Sequence, residues 1–292
     1  MSALPHVAAV TMVRDEGPML RRWVDYYGEQ LGLDHLLVVD DNSSDGSTDA
    51  LPCSVVRIPP IGKNPFEPTR MGMLSSLASA LLMVHEAVIF ADADEFVVPD
   101  PARYDGLRDY VSRRQDDVVG VVALNVVQLG DEPPLDLARP FASQRRYAKF
   151  LPLMCKPAVK RVDARWRWAS HGIMAPYAVD PELFMFHMKY ADRDLLHAAA
   201  ERRRAVVEMD GRAAETSWSR GPDEQVALLD RIQAEADPDR ITTFQVGPKK
   251  LAEVVQQRPD GSWRAVGAGQ VQAMERRPLV EIPERFRAGA SW

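Results

Sequence analysis

The first hundred residues alternate between short apolar runs and segments with helical periodicity. Residues 6–13 form an apolar, β-branched run, and apolar side chains then recur at helical spacing from Gly17-Pro18 to Leu31. Three more strand-like runs follow, with a helix-like segment between the last two; the runs are 36–39, 54–58 and 87–91, and the helix-like segment is 71–84. Continuous apolar strands joined by helical crossovers are typical of parallel sheets covered on both faces. The pattern predicts an α/β fold with a mostly parallel central sheet flanked by helices.

The second half of the chain is less regular. Periodicity there predicts two further helices and two further strands, namely helices at 104–114 and 192–207 and strands at 118–127 and 183–190. The segment 130–140 carries three prolines, which predicts a loop at the edge of a second subregion. Beyond residue 238 the pattern is weakly periodic, so the sequence predicts no particular structure for the C-terminal tail.

Composition indicates a folded protein, because 46% of the 292 residues are hydrophobic and 27% are charged. The net charge of −6 argues against general binding of nucleic acid. Cys53 and Cys155 lack metal-ligand spacing, and we expect them to be reduced thiols of a cytoplasmic protein. The longest uncharged apolar run, 77–84, is much shorter than the ~20 residues that span a bilayer. Peripheral attachment to a membrane stays open.

The strongest chemical motif is Asp92-Ala93-Asp94, directly after the apolar run 88–90. In an extended chain residues two apart point to one side, so both carboxylates can face one hard cation. Oxygen ligands of this kind suit Mg²⁺ or Mn²⁺. The alternative interpretation is that these aspartates cap a helix or form a turn. Ligands of parallel sheets bind beyond the carboxyl ends of the strands, which favours the metal hypothesis.

A second polar segment, 40–49, follows the second predicted strand. Its Asn, Ser, Asp and Gly residues are typical of a turn. Asp40 and Asp41 also lie where a carboxylate can accept hydrogen bonds from a nucleotide base or a ribose hydroxyl. Both interpretations are compatible with the sequence.

Three motifs in this order resemble those of the family 2 glycosyltransferases of GT-A fold, especially the branch with a D-x-D-E-F signature. The motifs are MVRDEGPMLRRWVDYY, VVDDNSSDGSTD and ADADEF. The resemblance covers approximately Val7 to Val98. It implies a GT-A type fold with a smaller C-terminal acceptor subregion.

The resemblance also implies a set of site residues. Those implied to contact the nucleotide sugar, which would be UDP-linked or similar, are Thr11, Val13, Arg14, Glu16, Asp40, Asp41, Arg70 and Asp92. Asp92 and Asp94 would bind the Mn²⁺ or Mg²⁺ ion. A later histidine and lysine of the same branch correspond to His187, as a further metal ligand, and Lys189, beside the departing diphosphate. The branch usually has tyrosine directly after this histidine, whereas this chain has Met188.

The catalytic base is less defined by sequence. An inverting transfer needs a carboxylate that deprotonates the acceptor hydroxyl. Asp180, Glu182, Asp192 and Asp194 are candidates, and we favour Asp192 because the resemblance implies a base at the start of the helix predicted at 192–207. His171 is a weaker candidate for the metal shell.

Basic side chains are concentrated in two other segments. The stretch 145–167 continues into Arg165-Trp166-Arg167-Trp168, which could form an acceptor platform, although inward tryptophans with solvated arginines fit the alternation better. Arg202-Arg203-Arg204 on a predicted helix is interpreted as a solvated face.

The sequence therefore predicts a metal-dependent glycosyltransferase that moves a sugar from a nucleotide sugar to a glycan, lipid-linked or small-molecule acceptor, with inversion. We expect a nucleotide-sugar-binding region at 1–128, a continuous acceptor and catalytic region at 129–240 and a tail at 241–292. Two alternatives remain. One is a nucleotidyltransferase, although the turn at 14–18 offers only Gly17 for a phosphate loop; the other is a binding or catalytically inactive interaction protein.

Overall fold

A large mixed sheet forms the centre of the computed structural model, which describes residues 4–61, 65–130, 132–211, 214 and 217–292. Within these ranges the sheet has eleven strands, and a separate four-stranded sheet is antiparallel. The strands are β1 (Val7–Val13), β2 (Leu36–Asp40), β3 (Ser54–Arg57), β4 (Ala87–Phe90), β5 (Glu95–Pro99), β6 (Val118–Val127), β7 (Tyr147–Phe150), β8 (Pro157–Lys160), β9 (Trp166–Arg167), β10 (Gly172–Ile173), β11 (Ala178–Tyr190), β12 (Thr242–Thr243), β13 (Val255–Gln257), β14 (Trp263–Ala265) and β15 (Leu279–Glu281).

The helices lie against this sheet and at its edges. They are α1 (Gly17–Leu31), α2 (Phe66–Leu81), α3 (Leu107–Arg113), α4 (Arg193–Asp210), α5 (Pro222–Ala234), α6 (Pro248–Ala252) and α7 (Gln270–Arg276). Short 3₁₀ helices occur at Leu33–His35, Phe141–Ser143, Pro152–Met154, Ser217–Ser219, Pro238–Arg240 and Glu284–Phe286. No helix of the described residues has the length and hydropathy needed to cross a bilayer.

The order of the strands confirms the predicted α/β class. β3, β2, β1 and β4 are neighbours and run parallel, as expected for apolar strands joined by helices. The rest of the sheet is mixed, because β8 pairs antiparallel with both β4 and β6, and β6 pairs antiparallel with β7. Every residue of β1 is buried, which explains its uninterrupted run of apolar side chains.

Helix α1 links the core to the segment that follows β4. It starts with proline in its first turn, where the missing N–H is not needed. Two tyrosines on its buried face hold β5: the Tyr26 hydroxyl donates to the carbonyl of Val97 at 2.6 Å, and the Tyr27 hydroxyl accepts from the Val97 N–H at 2.9 Å. These bonds hold the middle of β5, the strand that directly follows the turn with Asp92 and Asp94.

The C-terminal tail, for which the sequence predicted no structure, is an integral part of the fold. β15 pairs antiparallel with β7, and β12 pairs with β15 at the edge of the large sheet. The indole of Trp292 is wholly buried and stacks on Phe186, with 3.9 Å between ring centroids. The hydrophobic periodicity of the tail is weak because its short elements take their stability from packing on the sheet.

Three histidines form a hydrogen-bonded chain at the opposite end of the parallel strands. His6, His35 and His85 precede β1, β2 and β4, and His35 Nδ1 lies 3.0 Å from His85 Nε2, while His6 Nδ1 lies 3.5 Å from His35 Nε2. His85 Nδ1 donates to the carbonyl of Leu81 at 3.0 Å. One donor order fits all three contacts, in which each imidazole donates from Nδ1 to the next acceptor.

We expect acidification to destabilise the protein through His35. Burial, together with the neighbouring His85, His6 and Arg108, lowers the pKa of His35 below its ordinary value of 6.5, against the opposing effect of Asp34. The unfolded chain then binds more protons than the folded one, so stability is lost as the pH falls through about 6.5. The difference between the melting temperatures at about pH 7.5 and about pH 5.5 should be smaller in His35→Gln than in the unmodified protein. The control His197→Gln, on α4, should keep the full pH effect; an equal fall in all three proteins would contradict this role of His35.

Candidate functional site

A cavity of about 230 Å³ lies at the carboxyl ends of β1, β2 and β4, where α/β sheets bind ligands. Its floor includes the acidic turn between β4 and β5, and its walls come from α2, β11 and α4. The lining residues are Met12, Val13, Arg14, Glu16, Asp41, Phe66, Glu67, Arg70, Asp92, Ala93, Asp94, Glu95, Met154, Ala169, His171, His187, Lys189, Ala199, Arg202, Arg203, Val206, Trp218 and Gln270.

Glu95 shapes the acidic turn from within. Its Oε2 accepts the N–H of Asp92 at 2.8 Å and also forms a buried ion pair with Lys156 Nζ. Lys156 further contacts Ser170 Oγ at 3.3 Å and lies 4.0 Å from Asp92 Oδ2. The carbonyl of Asp94 accepts the N–H of Met188 at 2.8 Å, which ties the turn to β11. The turn is therefore held on two sides before any ligand binds.

Asp94 and His187 face each other in this cavity. Asp94 Oδ2 lies 3.5 Å from His187 Nε2, because β5 and β11 pair antiparallel with His187 opposite Glu95. His187 Nδ1 is 2.7 Å from Asn125 Oδ1, and an amide oxygen can only accept, so Nδ1 carries the proton. In the neutral imidazole the Nε2 lone pair is then directed at Asp94. This tautomer and its outer partner are typical of a metal-binding histidine.

Cationic side chains keep Asp94 ionised. Burial alone would favour the neutral acid, but Arg203, Lys189 and His187, which donates from Nε2 to Asp94 when it is protonated, together hold the pKa of Asp94 well below its ordinary value. Arg203 Nη2 lies 3.6 Å from Asp94 Oδ2 and 3.8 Å from Glu16 Oε1. Burial, helped by the nearby Arg203, lowers the pKa of Lys189 to about 7.

Asp92 has a different partner. Its carboxylate forms a hydrogen-bonded ion pair with Arg70, which also lies 3.6 Å from Glu67. Among the residues that the structure describes, no group of three His, Cys, Asp or Glu side chains is arranged around one point to hold a metal ion. The donors that fit a shared cation are Asp94 and His187, and other ligands would have to come from phosphate oxygens and water.

The residues after β1 and β2 divide into two groups. Val13, Arg14, Glu16 and Asp41 line the cavity. Thr11 is wholly buried within β1, and neither it nor Asp40 lines the cavity.

The carboxylate of Asp40 is directed into the polar turn, where it accepts the N–H of Ser43 at 2.7 Å and the hydroxyl of Thr48 at 2.9 Å. The turn interpretation therefore accounts for Asp40. Asp41 combines a structural bond with a position at the cavity, because its Oδ1 accepts the N–H of Ile61 at 2.9 Å.

Asp192, favoured from the sequence as the base, lies outside the cavity. It is the N-cap of α4: Oδ1 accepts the N–H groups of Asp194 and Leu195, and Oδ2 accepts the N–H of Leu135. Arg145 adds an ion pair at 3.6 Å. The Asp192 carboxylate has these four partners and lies away from the cavity. Its position is that of a helix cap.

The other three sequence candidates for the base also lie outside the cavity lining. Asp180 and Glu182 bind Arg114, at 3.1 Å and 2.6 Å, and accept from tyrosine hydroxyls, while Asp194 is exposed. Two carboxylates that do line the cavity, Glu16 and Glu67, have shifted pKa values. Burial raises the pKa of Glu16 and of Glu67.

Arg202 and Arg203 correct the interpretation of the 202–204 run as a solvated face. Both line the cavity, whereas Arg204 is exposed and pairs with Glu208 at 2.8 Å. Adjacent residues of a helix point about 100° apart, so three consecutive arginines do not all face one surface. The sequence contained a usable signal, since Ala199, Arg203 and Val206 share a helical face.

A strained turn carries His171 to the cavity. Trp168, Ala169 and Ser170 all have positive φ angles, of 56°, 50° and 71°, although none is glycine. Burial, with the cations Lys156 and Arg264, lowers the pKa of His171 to about 3, so this imidazole is neutral. Strain of this kind is often found at functional sites, and here it positions a cavity residue.

The basic stretch 145–167 is mainly structural. Arg145 is wholly buried and donates to three carbonyl groups, of which that of Pro133 lies at 2.9 Å. Lys160 Nζ donates to the carbonyl of Ala164 at 2.8 Å and lies over the buried ring of Trp166. Trp168 is half-exposed, with its Nε1 bonded to Ser262 Oγ at 3.1 Å. The inward packing of Trp166 follows the alternation, and the burial of the cations is set by the tertiary structure.

Comparisons with known proteins were made at three levels. No family model matches the sequence, and no curated protein sequence matches it. Among solved structures, the crystal structure of mannose-1-phosphate geranyltransferase from Thermus thermophilus is similar with a TM-score of 0.28 and 11% sequence identity, over 80% of this chain and 65% of that chain. The chain thus spans less than two thirds of that protein's length. A similarity of this size carries no argument about what the chain does.

Proposed function

We propose that this protein is a metal-dependent glycosyltransferase, which transfers a sugar from a nucleotide sugar such as a UDP-sugar to an acceptor hydroxyl. The observation that carries the proposal is the pairing of Asp94 with His187 in the cavity beyond the parallel strands. A carboxylate oxygen and an imidazole nitrogen 3.5 Å apart can both bind one Mn²⁺ or Mg²⁺ ion. The outer bond from His187 to Asn125 favours the same use.

The charge of the cavity supports a requirement for a cation. Six carboxylates line it against five Lys and Arg side chains, so the lining has no excess of positive charge. Such a lining does not by itself neutralise a diphosphate. A divalent ion, when bound at Asp94 and His187, would supply the positive charge that stabilises the leaving diphosphate.

The chain's own residues have separate roles in this proposal. Arg203 reaches Asp94 and Glu16 from α4 and is placed to contact phosphate oxygens, as is Arg70 from α2. Val13, Arg14 and Asp41 lie at the ends of β1 and β2, where the nucleoside would bind. Glu16 and Glu67, with raised pKa values, are the cavity carboxylates available to accept the proton of the acceptor hydroxyl.

The proposal is tested with the purified protein and a panel of nucleotide sugars, with Mn²⁺ and with EDTA. We expect release of nucleoside diphosphate from one donor in the presence of Mn²⁺ and none with EDTA, and a rise in melting temperature with that diphosphate only when metal is present. Release of pyrophosphate would instead identify a nucleotidyltransferase. Binding without turnover across a broad acceptor panel would favour a binding protein, and either result would overturn the proposal.

A further inference from the structure

A second cavity, of about 560 Å³, lies at the edge of the large sheet beside β12 and β15. Its volume falls in the range of roughly 300–1,000 Å³ that is usual for ligand pockets. Its lining residues are Phe150, Thr242, Thr243, Phe244, Gln245, Lys250, Arg277, Pro278 and Val280. None of these residues has a role in the proposed function described above.

Two segments of the chain run from one cavity to the other. Helix α7 starts at Gln270, which lines the first cavity, and Arg277 directly after its end lines the second. A helix of seven residues is about 10 Å long. The segment from Phe150 to Met154 makes the same connection. The two cavities are therefore neighbours, separated by roughly the length of α7.

The second cavity is cationic. Lys250 and Arg277 line it, and no carboxylate does. Within the part of the chain that the structure describes, neither of these two side chains forms a salt bridge. Glu281 lies beside the cavity, 3.4 Å from Thr243 Oγ1, and is already paired with Arg146 and Arg287.

The remaining lining suits a carbohydrate. Thr242 and Thr243 are exposed and bring hydroxyl groups, and Gln245 brings an amide. Phe150 and Phe244, with 5.4 Å between their ring centroids, form an apolar wall. Hydroxyls, an aromatic wall and two cations outside any salt bridge together match a sugar that carries an anionic group.

We propose that the second cavity binds the anionic group, a carboxylate or a phosphate, of an acidic oligosaccharide acceptor whose terminal hydroxyl reaches the first cavity. That the ligand is an acceptor rests on the proposed glycosyl transfer. The binding of an acidic sugar at Lys250 and Arg277 is measured without any donor, so its outcome is separate from that of the turnover assay.

The experiment compares the binding of four probes by calorimetry: trigalacturonate, maltotriose, glucose 6-phosphate and glucose. We expect at least one acidic probe to bind more tightly than its neutral counterpart, with an affinity that falls as salt is added. Lys250→Ala/Arg277→Ala should weaken that binding by about tenfold or more, because two charge-assisted contacts are lost. A preference for trigalacturonate identifies a carboxylate ligand, and a preference for glucose 6-phosphate identifies a phosphate ligand.

The matched control is Lys249→Ala/Arg276→Ala, which removes the two neighbouring cations that are exposed but do not line the cavity. This variant has the same net charge as the test variant and should bind like the unmodified protein. Equal weakening in both variants would show a general charge effect and would overturn the inference. Equal binding of acidic and neutral probes, or no binding of any probe, would overturn it as well.

Discussion

Replacement of Asp94 by asparagine is expected to lower donor turnover by about 100-fold or more and to remove the Mn²⁺ dependence of nucleoside diphosphate binding. Loss of an outer partner of a metal ligand already costs about 10–100-fold, and Asp94 would be a ligand itself. The change also leaves Arg203 and His187 without the carboxylate that lies 3.6 Å and 3.5 Å from them. Calorimetric titration of UDP, with Mn²⁺ and with EDTA, measures the effect directly.

Two further variants make this result specific to Asp94. Asp92→Asn should retain most of the metal dependence, because the Asp92 carboxylate is engaged by Arg70 and not by His187. Asp25→Asn, in an ion pair at the surface of α1, should leave binding unchanged. An Asp94→Asn protein whose UDP affinity still depended on Mn²⁺ would refute the assignment of Asp94 as a ligand.

Replacement of Lys156 by methionine should destabilise the fold by about 3–5 kcal/mol, because it leaves the buried carboxylate of Glu95 without its ion partner. For a chain of this size the loss corresponds to a fall in melting temperature of about 10 °C. Urea unfolding and thermal scanning measure the two quantities. The effect is large because both side chains are buried. Glu95 also accepts the N–H of Asp92, so its position affects the acidic turn.

The double variant Lys156→Met/Glu95→Gln separates the lost charge pair from lost packing. A neutral amide needs no cation, so the double variant should recover much of the stability. Lys249→Met, at an exposed position, is the control and should change stability by less than about 0.5 kcal/mol. If the double variant is no more stable than Lys156→Met, the ion pair does not account for the loss.

Local sequence pattern predicted much of the N-terminal half. The strands and helices from β1 to β4 agree with the predicted order, since each has an apolar run or a helical period of its own. The acidic turn was found because Asp92 and Asp94 follow a strand that is buried throughout. The structure adds β5, which begins at Glu95 directly after the turn. Glu95 was part of the D-x-D-E-F signature, but its role depends on Lys156, which sequence spacing does not reveal.

The assignments that the tertiary structure changed concern polar side chains with two plausible uses. Asp192 is acidic and precedes a helix, which suits a base and an N-cap equally well in sequence. Its position away from the cavity, with Arg145 beside it, decides for the cap. Arg203 shows the converse, because a run of three arginines on a helix looks solvated until the helix is packed against a cavity.

By itself, the sequence determined the α/β class and the placement of acidic residues at the ends of buried strands, because both depend on hydrophobic periodicity within short segments. Only the tertiary structure decided which distant side chains meet. His187 lies beside Asp94 through the antiparallel register of β11 on β5, and the tail joins the sheet through β15. Such contacts join residues far apart in the chain. Their free energy comes from packing and charge pairing, which leave no periodic trace in the sequence.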